Sequence, residues 1–251
     1  METIVECEIA APSFDFQSFV SNNRLMSKAA PISTAAATDS TRDRLLAAAK
    51  AQFAERGYEA ASVRELTQAA ETNIASVNYH FGDKLGLYVE VFQEIFTDLR
   101  ELRIRRIDEV MRKPDVTLRD LVAAFAWAFF EPLLKRDDGG FMMHLFMREM
   151  TDRRLPEGMV EEQLISPITL RLLDALRNLL PTLEQRDARM CIMSLVGQLI
   201  QVSMVMPIRN TASIYPQRVV EGIELQQALE HVVRFSTAGI EAVAAHSEAQ
   251  P

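Results

Sequence analysis

Side chains that can form hydrogen bonds are concentrated between residues 71 and 84 of the 251-residue chain, in the stretch ETNIASVNYHFGDK. Serine and asparagine can bond base edges or phosphate oxygens, and tyrosine and histidine add rings with polar tips. These residue types support recognition of a polar partner surface.

Three predicted helices position this stretch. The first spans residues 41–56, with Ser40 or Thr41 as its N-cap and Gly57 in the left-handed conformation that ends it. The second spans residues 63–70 and begins with the capping box of Ser62 and Glu65.

The third predicted helix spans residues 74–81 and follows a turn of only three residues, 71–73. Two short helices joined by such a turn and braced by a longer one form a helix-turn-helix, whose second helix is narrow enough for the DNA major groove. The inward positions are predicted to be Ile74, Val77 and Phe81. The residues left to face a partner are Ala75, Ser76, Asn78, Tyr79 and His80. Spacing alone leaves a solvated helix as an equal alternative.

The formal charge of the chain is −8, but residues 41–88 hold six basic and six acidic side chains and are neutral. Because no part of the chain is strongly basic, binding to a polyanion would rest on a few placed contacts.

The rest of the chain predicts an all-α fold of about nine helices, because no stretch alternates with period two. We predict a flexible extension over residues 1–40, a DNA-binding domain over 41–88 and an effector-binding and dimerisation domain over 89–251. Met26 is an alternative initiator.

Catalytic, metal and membrane functions lack a sequence signal. The four histidines do not group with cysteines or carboxylates, and no phosphate-binding loop or serine nucleophile motif is present. The longest uncharged stretch, residues 190–208, is too polar for a convincing membrane span. We therefore expect a cytoplasmic protein that is not an enzyme and needs no cofactor or metal.

Residues 41–88 resemble the DNA-binding domain of the TetR/AcrR family of bacterial transcriptional regulators. The resemblance is carried by FAERGY at residues 53–58, SVREL at 62–66 and YHFGDK at 79–84. It implies that Ser62 and Arg64 approach the phosphate backbone. It further implies DNA contacts by the third helix and the start of the fourth, through Asn73, Ser76, Asn78, Tyr79, His80 and Lys84.

Two positions depart from the family pattern. Glu71 stands where many members have glycine, so the turn must close without it and places a carboxylate near DNA. Many members also have tyrosine at the position of Asn78. Since asparagine can bond adenine bidentately, either Asn78 or Tyr79 is the base reader.

The last two long predicted helices, over residues 185–206 and 225–245, are where the resemblance implies a four-helix dimer interface. The uncharged face predicted for it comprises Cys191, Leu195, Gln198, Leu199 and Val202. The alternative is that these residues fill a core within the chain.

A cluster of methionine and phenylalanine residues predicts a pocket for a small, largely apolar effector, since methionine adapts to varied ligands. Its predicted members are Phe125, Phe129, Met143, Phe146, Met147, Met150 and, as a polar contact, Arg148. The alternative is an ordinary core. Residues 146–176 also resemble the C-terminal domain of a CecR-like subgroup of the family.

The nearby Arg100, Arg103, Arg105 and Arg106 are predicted to lie on a solvated face paired with acids. The alternative for this cluster is a phosphate-contacting or anion-sensing role. Taken together, these features predict a homodimeric repressor that an effector releases from a pseudo-palindromic double-stranded DNA operator. The alternative is a helical protein-interaction module that keeps the fold without binding DNA.

Overall fold

The chain is helical in the residues that the computed structural model describes, which are 40–134, 145–146, 148–149, 151–205 and 221–248. These residues form eight α-helices, a π-helical turn and no strand, which confirms the all-α prediction. The helices are α1 Thr41–Ala60, α2 Val63–Ala69, α3 Ile74–Phe81, α4 Lys84–Met111, α5 Leu118–Leu134, α6 Ser166–Leu179, α7 Gln185–Val205 and α8 Leu225–Glu248, with the π-helical turn at Glu161–Ile165.

Side-chain caps set the starts of the first two helices, as predicted. The Ser40 hydroxyl accepts from the Asp43 amide, and Ser62 forms a complete capping box with Glu65. Near the end of α1, Gly57 leaves the helical conformation with a φ of 82°. A kink at this glycine therefore separates the last turn of α1 from the rest of the helix.

The turn between α2 and α3 closes because Glu71 itself adopts the left-handed conformation, with a φ of 51°. Thr72 donates its amide to the Thr67 carbonyl at 2.9 Å. Asn73 then caps α3 by accepting from the Ser76 amide. A non-glycine residue at positive φ is uncommon and costs conformational energy, so this turn holds Glu71 against its preference.

A close backbone approach joins α3 to α4. Gly82 ends α3 with a φ of 80°, and the Asp83 side chain caps α4 through the Gly86 amide at 2.7 Å. A Cβ atom added to Gly86 would lie 1.9 Å from the Phe81 carbonyl oxygen. Only glycine therefore fits in the first turn of α4, a requirement that the sequence pattern did not reveal.

The front helices are α1, α2 and α3. Val77 is fully buried and anchors α3 to the other two, whereas Phe81 is half-buried. The prediction that Ile74 points inward is wrong, since its side chain is 52% exposed. Ile74 occupies the first turn of an eight-residue helix, where the neighbouring helices do not cover it. The apolar anchor of α3 is thus smaller than its periodicity indicated.

Behind the front helices, α4 packs against α5 and α6, and α8 packs against α7 and α5. Two ion pairs join α1 to the first turns of α4, between Arg42 and Glu90 and between Lys50 and Glu94. Because α4 runs continuously through residue 88, the same helix belongs to both predicted domains. The boundary at that residue remains a prediction.

Helix α7 is long and apolar enough that length and composition alone would allow it to cross a membrane. It packs against α5, α6 and α8, as a core helix of a bundle does, and only 39% of its most apolar window is buried. Part of its apolar surface therefore remains uncovered in the single chain.

We predict that Gly86→Ala lowers the free energy of unfolding by about 1–3 kcal/mol, because the new methyl group meets a backbone oxygen that cannot easily move. Urea denaturation would measure the change. Alanine normally stabilises a helix relative to glycine by about 0.5–1 kcal/mol.

Gly239→Ala in α8 is the matched control, because its added Cβ meets no atom within 4 Å. It should follow the normal preference for alanine. Equal stabilisation by both substitutions would contradict the proposed close approach at Gly86.

Candidate nucleic-acid interface

The solvent-facing side of α3 carries the most exposed aromatic residue of the front helices. Tyr79 is 85% exposed, and its ring makes an edge contact with His80 at 4.9 Å between centroids. Asn78 and Ile74 are exposed on the same short helix. Hydrogen-bonding groups, two rings and one aliphatic side chain are therefore free to meet a partner.

The two polar residues at the start of α3 are already used within the turn. The Ser76 hydroxyl lies 2.8 Å from the Thr72 hydroxyl and 3.2 Å from Asn73 Oδ1, which also accepts from the Ser76 amide. These bonds fix the entry of the chain into α3. Direct DNA contact by Asn73 and Ser76 stays a prediction, and their present bonds give them a positioning role.

At the start of α2, Ser62 is used within the fold, whereas Arg64 is available to a partner. The Ser62 hydroxyl donates to Glu65 Oε2 at 2.7 Å and accepts from the Glu65 amide. Arg64 is exposed and forms no ion pair with any residue that the structure describes. Of this pair, Arg64 has the charge that is free to meet a phosphate group.

Most other basic side chains of residues 41–88 are paired or bonded within the chain. Arg56 pairs with Glu65 at 2.9 Å, while Arg42 and Lys50 pair with acids of α4. Arg44 bonds Thr41 at 3.5 Å. Among the described residues at 41–88, only two cations, Arg64 and Lys84, neither pair with an acid nor bond another side chain. Both are predicted phosphate contacts.

Lys84 is half-buried and rests on the end of α1. Its Nζ atom lies 4.3 Å from the centroid of the Tyr58 ring and 3.4 Å from the Glu59 carbonyl oxygen. Desolvation lowers the pKa of Lys84, an effect that Glu59 opposes and Arg154 reinforces. Lys84 would have to leave the Tyr58 ring partly to reach a phosphate.

Buried and surface contacts connect the front helices to the segment comprising Arg148, Glu149 and residues 151–155, which we call the contact segment. The Tyr88 hydroxyl donates to Glu149 Oε2 at 3.0 Å, and the Leu155 amide donates to Glu149 Oε1 at 2.8 Å. Both side chains of the first pair are buried, Tyr88 at 1% and Glu149 at 7% exposure. Desolvation, followed by the Glu149 charge, raises the pKa of Tyr88.

Two arginines of the contact segment reach the end of α1. Arg148 donates to the Glu55 carbonyl at 3.2 Å and lies against Gly57, where a side chain would collide with it. Arg154 pairs with Glu59 and lies 5.6 Å from the Tyr58 ring centroid. The Arg148 guanidinium thus points to the front helices, and its contact with an effector stays a prediction.

The aromatic residues predicted for an effector pocket differ in burial. Phe125 is 1% exposed, whereas Phe129 and Phe146 are half-buried. Phe146 makes an edge contact with Phe96 at 6.4 Å between ring centroids. The predicted Met143, Met147 and Met150 lie outside the described residues.

The predicted dimer face needs correction. Leu195 and Leu199 are 3% and 0% exposed, so they belong to the core of the chain itself, as the alternative interpretation held. Cys191, Gln198 and Val202 are half-buried, and Gln198 donates to the Ser236 hydroxyl at 3.1 Å. The large apolar side chains left exposed on α7 and α8, which we call the outer face, are Met190, Met193, Ile200 and Phe235.

The arginines at the far end of α4 do not form a uniformly solvated face. Arg106 is 8% exposed and bonds Glu131 and Glu109, each at 3.0 Å. Arg100 donates to the Gln163 carbonyl at 2.8 Å, and Arg103 is half-buried against Phe129. Of the four, Arg105 is exposed as predicted. In the described part of the chain, no cluster of histidine, cysteine or acidic residues could hold a metal ion.

Two family models match the chain. Residues 45–91 match the N-terminal model of bacterial regulatory proteins of the TetR family. Residues 117–240 match the C-terminal domain of the HTH-type transcriptional dual regulator CecR. The first match contains α2, α3 and the recognition surface, by which we mean the exposed Arg64, Asn78, Tyr79 and His80.

Two curated relatives are similar over part of their length. The HTH-type transcriptional repressor NicS of Pseudomonas putida is 30% identical over 93 residues, covering 37% of this chain and 42% of NicS. The dual regulator CecR of Shigella flexneri is 32% identical over 136 residues, covering 52% of this chain and 60% of CecR. The chain thus matches less than two thirds of each relative.

A solved structure shows the same fold. A transcriptional regulator from Pseudomonas aeruginosa PAO1 superposes with a TM-score of 0.62 at 19% identity, covering 81% of this chain and 91% of that chain. This similarity concerns the fold. The two family models, at residues 45–91 and 117–240, show that the chain belongs to the TetR family of bacterial transcriptional regulators.

Proposed function

We propose that the protein is a homodimeric repressor that inserts α3 into the DNA major groove and is released by a small organic effector. The observation that carries the DNA-binding step is the surface of α3, where Asn78, Tyr79 and His80 are exposed. The preceding helix, α2, adds the exposed cation Arg64, which has no ion-pair partner among the described residues. Exposed side chains of a recognition helix that lies in the major groove are those that reach base edges.

The electrostatics support a mode of binding that depends on a few contacts. Since most basic groups of the front helices are engaged in ion pairs or hydrogen bonds, Arg64 and Lys84 supply the phosphate contacts and fix the register of α3. The exposed carboxylate of Glu71 lies in the turn that precedes α3 and opposes non-specific attraction to the polyanion. Sequence discrimination then rests on Asn78 and Tyr79.

A dimer is proposed because one eight-residue helix offers few contacts and two half-sites supply the rest. Met190, Met193 and Ile200 recur at helical spacing on α7, and Phe235 continues this outer face on α8. Gly197 lies between them on α7 and is exposed, so a partner helix could approach closely where no side chain intervenes. An exposed apolar surface of this kind marks a protein interface.

The contact segment is the proposed connection between effector and DNA. It follows Phe146 in the chain and contacts the end of α1, and Glu149 accepts hydrogen bonds from Tyr88 of α4 and from Leu155. A shift of this segment would change the position of the kink at Gly57 and of Tyr58. An effector acts only if its affinity differs between the two arrangements.

We predict that Tyr79→Ala weakens DNA binding by at least about tenfold, since a lost base contact costs roughly 1–3 kcal/mol. The duplex for this measurement is the one that the parent protects in a footprint of the DNA flanking its coding region. Tyr79 is 85% exposed, so the fold should be unaffected. Tyr79→Phe keeps the ring and separates stacking from hydrogen bonding. Parent-like affinity of Tyr79→Ala would contradict its assigned role.

We expect Arg64→Ala to weaken binding to all duplexes. The slope of the binding constant against salt concentration should fall by the equivalent of about one phosphate contact per half-site. Titrations at several salt concentrations would measure both effects. Arg105→Ala is the matched control, because Arg105 is also exposed but lies at the far end of α4. An unchanged salt dependence in Arg64→Ala would remove this residue from the phosphate contacts.

We predict that Met193→Glu combined with Phe235→Glu converts the dimer into single chains of 28.3 kDa, because both side chains are more than 60% exposed on the outer face. Sedimentation velocity would measure the mass. Leu170→Glu is the control, since Leu170 is 60% exposed on α6 instead. Dissociation by the control alone would place the interface elsewhere.

The coupling through Glu149 predicts that DNA binding changes backbone hydrogen exchange at Leu155, whose amide bonds that carboxylate. Exchange measured by mass spectrometry with and without the duplex should differ there in the parent. In Tyr88→Phe, which loses only the hydroxyl, the difference should shrink. If hydrogen exchange at Leu155 of the parent were the same with and without DNA, coupling through Glu149 would be contradicted.

A further inference from the structure

Arg103 differs from its neighbours Arg100 and Arg106 in having no polar partner among the residues that the structure describes. Its guanidinium carbon lies 4.6 Å from the centroid of the Phe129 ring on α5. Its Nε atom is buried and has no hydrogen-bond partner among the residues that the structure describes. A charged, fork-shaped donor group is therefore held against a ring of the neighbouring helix, and its Nε donor is unused.

The acids near Arg103 are already committed to another arginine. Glu131 and Glu109 both bond Arg106, one turn further along α4. On the other side, Arg100 is satisfied by the Gln163 carbonyl. Contacts within the chain thus satisfy the guanidinium groups of Arg100 and Arg106, whereas no described residue compensates that of Arg103.

Such an arrangement is costly in a protein that binds nothing there. Burial lowers the pKa of the Arg103 guanidinium to about 10, and no charge or hydrogen bond opposes this shift. The group nevertheless stays protonated at neutral pH, so the folded chain carries a desolvated cation. A bound anion would supply the missing partner.

The surroundings of Arg103 indicate the shape of that anion. Phe96 lies seven residues earlier on the same face of α4, about 10 Å away along the helix axis. Phe96 contacts Phe146 at 6.4 Å, and Phe129 covers the guanidinium at the other end. An apolar wall of phenylalanine rings therefore leads up to one positive group.

We propose that Arg103 is the anchor for the carboxylate group of the effector, whose apolar body lies against Phe129, Phe96 and Phe146. This inference rests on the proposed effector-responsive function and narrows its ligand to organic acids. The planar guanidinium can pair bidentately with a carboxylate, and its charge discriminates against neutral analogues.

The first test needs no ligand. Arg103→Met should raise the Tm of the free protein by about 2–4 °C or more, because an apolar side chain of similar length replaces an unpaired charge. Arg106→Met is the matched comparison and should lower Tm, since it leaves Glu131 buried without its partner. If Arg103→Met lowered Tm as Arg106→Met does, Arg103 would be a structural residue and the proposal would be wrong.

The second test uses four defined probes, benzoate and hexanoate with their neutral amides, at matched ionic strength. At least one carboxylate should raise the Tm of the parent, while its amide should bind at least about tenfold more weakly. Arg103→Met should lose the response, and Arg105→Met should keep it. No response of the parent to either carboxylate would overturn the proposal, as would an equal response to its amide.

Inorganic phosphate is tested as a fifth probe in the same Tm measurement. Stabilisation by phosphate equal to that by the carboxylates, lost in Arg103→Met, would assign the site to an inorganic anion and overturn the organic-acid class. The footprint of the parent on DNA is measured separately. A parent that binds DNA but no carboxylate would refute this inference alone, whereas a parent that binds no DNA would refute the proposed function.

Discussion

The hydrogen bond between Tyr88 and Glu149 is the contact on which the arrangement of the molecule depends. Tyr88 lies at the beginning of α4 and makes edge contacts at 5.0 Å with the rings of Phe53 and Tyr58. Its hydroxyl reaches a buried carboxylate 61 positions later in the chain. Leaving either group without its partner in this apolar setting would carry the full desolvation cost. The front helices and the contact segment therefore remain in register.

That constraint gives the end of α1 a double role. Gly57 interrupts α1, and the turn that follows carries Tyr58 and Glu59, which meet both Lys84 and Arg154. Two cations share one ring at the place where the recognition unit meets the contact segment. Any movement of the contact segment changes the surroundings of Lys84, one of the two cations available for phosphate. Effector binding and DNA binding can thus act on the same small group of side chains.

Charge placement explains how an acidic chain can bind a polyanion. The net charge of −8 says little about the recognition surface, because most basic groups at residues 41–88 are matched by acids or hydrogen bonds within the chain. Arg64 remains on the surface without a partner among the described residues, while the half-buried Arg103 keeps a buried Nε atom without one. Each is a cation without its anion, and each indicates a ligand that the chain alone does not contain.

Local chemistry determined the helices, their caps, the helix-turn-helix and the family, because capping boxes, glycine positions and motif spacing act over a few residues. The pattern thereby located Ser62, Glu65, Asn78 and Tyr79 correctly within their elements. Periodicity, however, identifies an apolar face without showing what covers it. Tertiary packing alone decided that Ile74 stays exposed while Leu195 and Leu199 enter the core. It likewise turned Arg148 toward α1 and left Arg103 without an acidic partner among the described residues, since ion pairing depends on residues distant in the chain.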